Sequence, residues 1–119
     1  MDKKTQQGSL SESKVISYFI EKGYDVFIQF SGKSPFDLII CKNKKLQKVE
    51  VKSTIRRTKY DTGWAVGLKS TRSNKTTNTI HNFDNSKIDL LAVFIVPKNE
   101  VRIFNSKKIT TKTELVILD

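Results

Sequence analysis

An apolar stripe is the first periodic pattern along the chain, and it lies within residues 9–22. Its members recur at the three- and four-residue spacing that places side chains on one face of an α-helix. They are Val15, Ile16, Phe19 and Ile20. Gly23 follows at the position where glycine commonly ends a helix. The pattern therefore predicts an amphipathic N-terminal helix over residues 9–22.

Segments with strand propensity follow the predicted helix. Residues 24–30 and 36–41 are rich in aromatic and β-branched side chains. A polar turn at residues 42–45 leads into residues 46–54, where apolar and polar side chains alternate. We therefore expect a strand followed by a β-hairpin.

The second half of the chain predicts the rest of a sheet. An apolar run at residues 88–96 indicates a strand that is buried on both faces, with residues 101–104 as its hairpin partner. The less regular segments predict a strand at 63–69, a loop at 70–78, and an edge strand or short helix at 115–118. Together these elements predict a single domain, residues 1–119, of the α/β or α+β class, with one helix packed on a mixed, twisted sheet.

The turn at residues 42–45 decides which side chains face each other across the hairpin. If Cys41 pairs with Leu46, then Asp37 lies directly opposite Glu50. Directly opposed side chains are about 4.5–5.5 Å apart, and like charges there repel each other. Two such carboxylates favour a cation between them, and oxygen ligands suit Mg²⁺.

Lys52 follows Glu50 by two residues, so both side chains leave the same face of the predicted strand. An ammonium group at that position could orient or help deprotonate a water that attacks a phosphodiester, while the metal polarises the phosphoryl oxygen. The alternative is that these residues merely line the wet face of a strand. The predicted register and a nearby basic segment favour the site.

Glu12 allows two interpretations. The segment from Ser9 to Glu12 fits a capping box, in which the glutamate bonds back to the cap residue. Glu12 also lies on the helix stripe that should face the sheet, where a carboxylate usually has a partner. The sequence leaves both roles open.

Charge and composition narrow the class of partner. The formal net charge is +10 over 119 residues, and a basic segment contains one acid, Asp61. Its basic residues are Lys52, Arg56, Arg57, Lys59, Lys69, Arg72 and Lys75. Such a patch favours nucleic acid as the partner, although a basic balance can also serve solubility alone.

Cys41 has no second cysteine to pair with, which suits a reducing cytoplasm, and no apolar run is long enough for a membrane span.

These residues, in this order, resemble the PD-(D/E)XK nuclease superfamily. Its signature corresponds to Pro35–Phe36–Asp37 followed by Glu50–Val51–Lys52, with Phe36 interrupting the usual proline–aspartate pair. A preceding helix with a glutamate and a Gly-Tyr pair leading into a strand are similar to the resolvase-like branch. The resemblance covers about residues 8–54.

The resemblance implies a restriction-endonuclease-like core and a set of site residues. Asp37, Glu50 and the Val51 carbonyl would be metal ligands, Lys52 the catalytic lysine and Glu12 an accessory acid. Mg²⁺ would be the cofactor, with Mn²⁺ able to substitute, and the assembly would be a homodimer or larger homo-oligomer. We expect Lys33, Ser34 and Ser53 to join the basic segment in contacting nucleic acid.

Several functions remain open at this point. The leading interpretation is a Mg²⁺-dependent DNA endonuclease, either sequence-specific and homing-like or associated with a mobile element. A Holliday-junction resolvase would need the same core and the same basic flank. A non-catalytic nucleic-acid-binding module, or a protein that binds an acidic partner, would not need acids close to phosphate.

Overall fold

The computed structural model describes residues 1–29, 34–73 and 78–119. Across these residues it contains one α-helix, α1 (Lys3–Glu21), and nine strands. The strands are β1 (Asp25–Ile28), β2 (Leu38–Lys42), β3 (Lys45–Thr54), β4 (Gly63–Gly67), β5 (Ser70–Ser73), β6 (Asn78–His81), β7 (Leu90–Ile95), β8 (Glu100–Asn105) and β9 (Glu114–Leu118). Within the described part of the chain, no helix is long and apolar enough to cross a membrane.

The main sheet is mixed, with strand order β1-β2-β3-β7-β8. The pairs β1–β2, β2–β3 and β7–β8 are antiparallel, whereas β3 and β7 run parallel. Two smaller antiparallel sheets join β4 to β9 and β5 to β6. The predicted fold class, an N-terminal helix packed on a mixed sheet, is confirmed.

Both faces of the main sheet are covered, and this explains its apolar strands. Helix α1 covers one face, where Val15 and Phe19 pack with Leu38 and Val49. On the other face, side chains of the β4–β9 sheet pack against β7. They include Trp64, Val66 and Ile117 against Leu91, Val93 and Ile95. Strand β7 therefore has side chains buried on both faces, as its continuous apolar run predicts.

The helix begins earlier than its apolar stripe indicates. It starts at Lys3 and not at residue 9, because the Asp2 side chain caps it by accepting a hydrogen bond of 2.8 Å from the Thr5 N–H. Glu12 therefore lies in the middle of the helix, and the capping-box interpretation is wrong. The predicted end is confirmed, since Gly23 follows the helix with a φ of +85°.

Sequence periodicity was insufficient to predict the structure of two segments, residues 70–78 and 115–118. Ser70–Ser73 is a strand paired with Asn78–His81, so the loop predicted over 70–78 is wrong for its first four residues and for Asn78. The pairing supplies backbone hydrogen bonds that the polar composition does not reveal. Glu114–Leu118 is a strand and not a short helix, because it pairs with Gly63–Gly67 about fifty residues earlier in the chain.

The close contact between β4 and β9 generates the first prediction. A Cβ atom at Gly63 would clash with the Ile117 carbonyl oxygen and lie 2.9 Å from the Leu118 Cα. We expect Gly63→Ala to lower the free energy of unfolding by about 1–3 kcal/mol, measured by urea denaturation. Gly67→Ala in the same strand is the matched control, because no atom of the described residues lies within 4 Å of its added Cβ. Equal stability of the two variants would contradict this account of the β4–β9 contact.

Candidate active site

Asp37 lies directly before β2, at the point where the β2–β3 ladder ends. The predicted register is confirmed, since Cys41 pairs with Leu46 and Leu38 pairs with Val49. The Asp37 N–H donates to the Val49 carbonyl at 2.9 Å, and its Oδ2 accepts from the Val51 N–H at 2.7 Å. The Asp37 carboxylate thus takes the place of the backbone carbonyl that would accept the next hydrogen bond of the β2–β3 ladder. It is held against β3 next to Glu50.

Glu50 and Lys52 form an ion pair on one face of β3. Their Oε1 and Nζ atoms are 3.5 Å apart, and the side chains are only 19% and 20% exposed. Their neighbours in the adjacent strand are Leu91 and Val93, both fully buried. The alternation predicted for this segment therefore places both charged groups at the margin of the apolar core and limits their contact with water.

Helix α1 brings Glu12 to the same region from the opposite face of the sheet. Glu12, Asp37 and Lys52 line a cavity of about 320 Å³ between α1 and the end of β3. Glu50 lines a second cavity, of about 200 Å³, together with Pro35 and the segment that follows β6. The structure therefore assembles Glu12, Asp37, Glu50 and Lys52 around the end of β2, with openings on both sides.

Burial controls the protonation of the three acids. It raises the pKa of Asp37, against the opposing effects of the Val51 N–H and the Lys52 charge. Burial also raises the pKa of Glu50, which Lys52 lowers and the Asp37 charge raises further. The pKa of Glu12 is raised by burial and then by Asp37. Each acid is thus less favourable as an anion than it would be in water, and a cation among them would relieve this cost.

The donor set fits a hard divalent cation. In a strand, the N–H and C=O of one residue point to the same side, so the Val51 carbonyl faces the side on which its N–H meets Asp37. Carboxylates and a carbonyl are the ligands that Mg²⁺ prefers, and Mg²⁺ takes the rest of its shell from water or phosphate. Within the described residues, no three His, Cys, Asp or Glu side chains form a metal-binding cluster by themselves. Asp37, Glu50 and Val51 would therefore hold the ion together with solvent or substrate oxygens.

Two arginines of the basic segment are paired with carboxylates of this chain. Arg57 pairs with Asp61 and Asp119, each at 2.6 Å, and Arg56 pairs with Glu114 at 2.7 Å. Arg57 also lies over the Trp64 ring at 4.7 Å. These carboxylates offset the two guanidinium charges, so both arginines are weaker candidates for phosphate contact than the sequence suggests.

The other predicted nucleic-acid contacts are distributed unevenly. Lys59 and Lys69 are exposed, and Ser34 is half-buried with its N–H donating to the Gln29 side chain. Ser53 lies at the site cavity. Lys33, Lys75 and the side chain of Arg72 lie outside the described residues.

Gln7 is a site neighbour that sequence reasoning missed. Its Nε2 donates to the Ser53 Oγ at 2.8 Å, which joins α1 to the end of β3. The two residues are 46 positions apart, so no local pattern connects them. The sequence predicted a helix that starts at residue 9. A predicted start at Lys3 would have placed Gln7 on α1, near the site.

Comparisons with known proteins agree with this architecture. A family model described as PD-(D/E)XK endonuclease matches residues 1–119. Protein 5.3 of Escherichia phage T7 is 27% identical over 117 residues, which are 98% of this chain and 92% of that protein. The structure of a bacterial homing endonuclease, I-Ssp6803I, matches with a TM-score of 0.82 and 17% identity, over 99% of this chain and 80% of the other. At that identity, the structural match shows a shared fold.

The raised carboxyl pKa values generate a prediction for the metal-free protein. When burial raises a carboxyl pKa, the folded state keeps a proton that the unfolded state has already released. The free energy of unfolding contributed by Asp37 therefore falls as pH rises from the unfolded pKa, near 3.8, through the higher folded pKa.

We expect Asp37→Asn to be more stable than the wild type at neutral pH in EDTA and to show a smaller pH slope. The asparagine oxygen can still accept from the Val51 N–H without carrying a buried charge. Urea denaturation of both proteins between about pH 4 and pH 7 measures the difference. Parallel stability curves would show that Asp37 does not bear this cost.

Proposed function

The chain belongs to the PD-(D/E)XK endonuclease family, and on that premise we propose that it is a metal-dependent DNA endonuclease centred on Asp37, Glu50 and Lys52. The observation that carries the proposal is the hydrogen bond from the Val51 N–H to the Asp37 carboxylate. This bond holds the acid that precedes β2 against the strand that bears the Glu50–Lys52 pair. Mg²⁺ is the cofactor that best suits these oxygen donors.

When bound, the divalent ion would polarise the scissile phosphoryl group and stabilise the leaving oxygen. The protein's own groups would position the reactants. Lys52, held 3.5 Å from Glu50, would direct its ammonium group toward the phosphate or the attacking water. Glu12, at the α1 side of the cavity, would accept a hydrogen bond from that water and orient it.

The distribution of charge supports catalysis over binding alone. A net charge of +10 would attract DNA to the protein, whereas Glu12, Asp37 and Glu50 would repel the phosphate closest to them. A module that only binds DNA would gain affinity by losing these half-buried acids. Their presence in a chain of net charge +10 is understandable if a cation among them neutralises their charge beside the phosphate.

The metal role of Asp37 can be tested with a near-isosteric variant. We expect Asp37→Asn to lower the cleavage rate by roughly 10³-fold or more, equivalent to about 4 kcal/mol of transition-state stabilisation. Its affinity for DNA should stay equal or rise, because an anion near phosphate is removed. The measurement is single-turnover cleavage with Mg²⁺ and with EDTA, on linear duplex and on a four-way junction of the same sequence. Cleavage that persists in EDTA, or in the variant, would exclude the proposed metal role.

Lys52 has a matched control on the same face of the same strand. We expect Lys52→Ala to reduce the single-turnover rate by about 10²–10³-fold with little change in affinity, because its charge is needed at the reacting phosphate. Lys48 is four residues earlier and exposed, so Lys48→Ala should leave the rate unchanged. If Lys52→Ala weakened binding and left the rate intact, Lys52 would be a simple phosphate contact.

A further inference from the structure

Gly8 is an unexplained residue within α1. It is exposed and lies five residues after the first helical residue, Lys3. Glycine in a helix is less stable than alanine, because it loses more backbone entropy on folding. No atom of the described residues lies within 4 Å of the Cβ that an alanine would add. The described part of the chain therefore contains no packing reason for a glycine at this position.

The face of the helix that carries Gly8 belongs to the site cavity. Thr5, Gly8 and Glu12 are spaced three and four residues apart, which aligns them along one side of α1. All three line the cavity of about 320 Å³, with Asp37 and Lys52 across it. Gly8 thus leaves space directly in front of the proposed active site.

A hydrogen bond next to Gly8 connects α1 to β3 beside this cavity. Gln7 donates to Ser53 at 2.8 Å, so this part of α1 is tied to the end of β3. The Ser53 oxygen accepts that bond, which leaves its own O–H group able to donate. Ser53 lines the same cavity, as do the hydroxyl-bearing residues Thr5 and Ser9.

We propose that the surface around Gly8 is a subsite for the sugar–phosphate backbone beside the scissile phosphate. The absent side chain allows the DNA strand to approach the helix closely, which is a common reason for glycine next to a ligand. Hydroxyl groups of Thr5, Ser9 and Ser53 donate to phosphate oxygens and set the position of the strand. The subsite rests on the proposed endonuclease function and adds the path that the substrate strand takes.

The test fills the space and leaves the catalytic groups intact. Gly8→Ala and Gly8→Leu introduce better helix formers, so both variants should fold with an unchanged or higher thermal midpoint. We expect Gly8→Leu to weaken duplex binding and raise KM by about tenfold or more, with a smaller effect for Gly8→Ala. Binding is measured by fluorescence anisotropy in an Asp37→Asn background, where the duplex stays intact, and KM is measured with Mg²⁺ in the catalytically complete protein.

Ser13→Leu is the matched control, because Ser13 is an exposed position of the same helix that does not line this cavity. Unchanged binding by Gly8→Leu, or an equal loss in Ser13→Leu, overturns the subsite. Failure of the wild type to cleave DNA with Mg²⁺ would instead refute the endonuclease function. The binding comparison still decides the subsite in that case, since a loss specific to Gly8 supports it and no loss overturns it.

Discussion

The site depends on one hydrogen bond, from the Val51 N–H to the carboxylate of Asp37. Strand β2 begins immediately after Asp37, and β3 continues for several residues beyond the last β2 pair. The side chain therefore occupies a hydrogen-bonding position that the backbone has vacated. This arrangement fixes the acid by a backbone hydrogen bond and leaves room for a substrate at the end of the shorter strand.

The site carboxyls make the metal-free protein less stable, and the proposed metal binding would explain why they are retained. Burial raises the pKa of the site carboxyls, and the Asp37 charge raises the pKa of Glu12 and Glu50 further, so the anionic forms are unfavourable in the metal-free protein. Elsewhere, several carboxylates are paired with arginines. The Arg57 pairs with Asp61 and Asp119, for example, secure the C-terminal end of the chain next to the segment before β4. Carboxyls with a raised pKa are thus found at the place where a cation and a phosphate would enter.

Much of the main sheet could be predicted because its information is local. The polar turn between β2 and β3 has two residues with positive φ, Asn43 and Lys44, and so short a connection permits few registers. That register brings Asp37 to Glu50, and the two-residue spacing brings Lys52 to the same face as Glu50. Glu12 was harder to place, because its role depended on where the helix begins.

The sequence by itself determined the apolar helix face, the main strands, the hairpin register and the order of the acids and the lysine. These features follow from periodicities of two and 3.6 residues and from turn chemistry, which act over a few positions. Only the tertiary structure decided that β9 pairs with β4, that Gln7 meets Ser53, and that carboxylates neutralise Arg56 and Arg57. Those contacts join residues 46 to 62 positions apart, and they form because covering both faces of one sheet folds distant segments against each other.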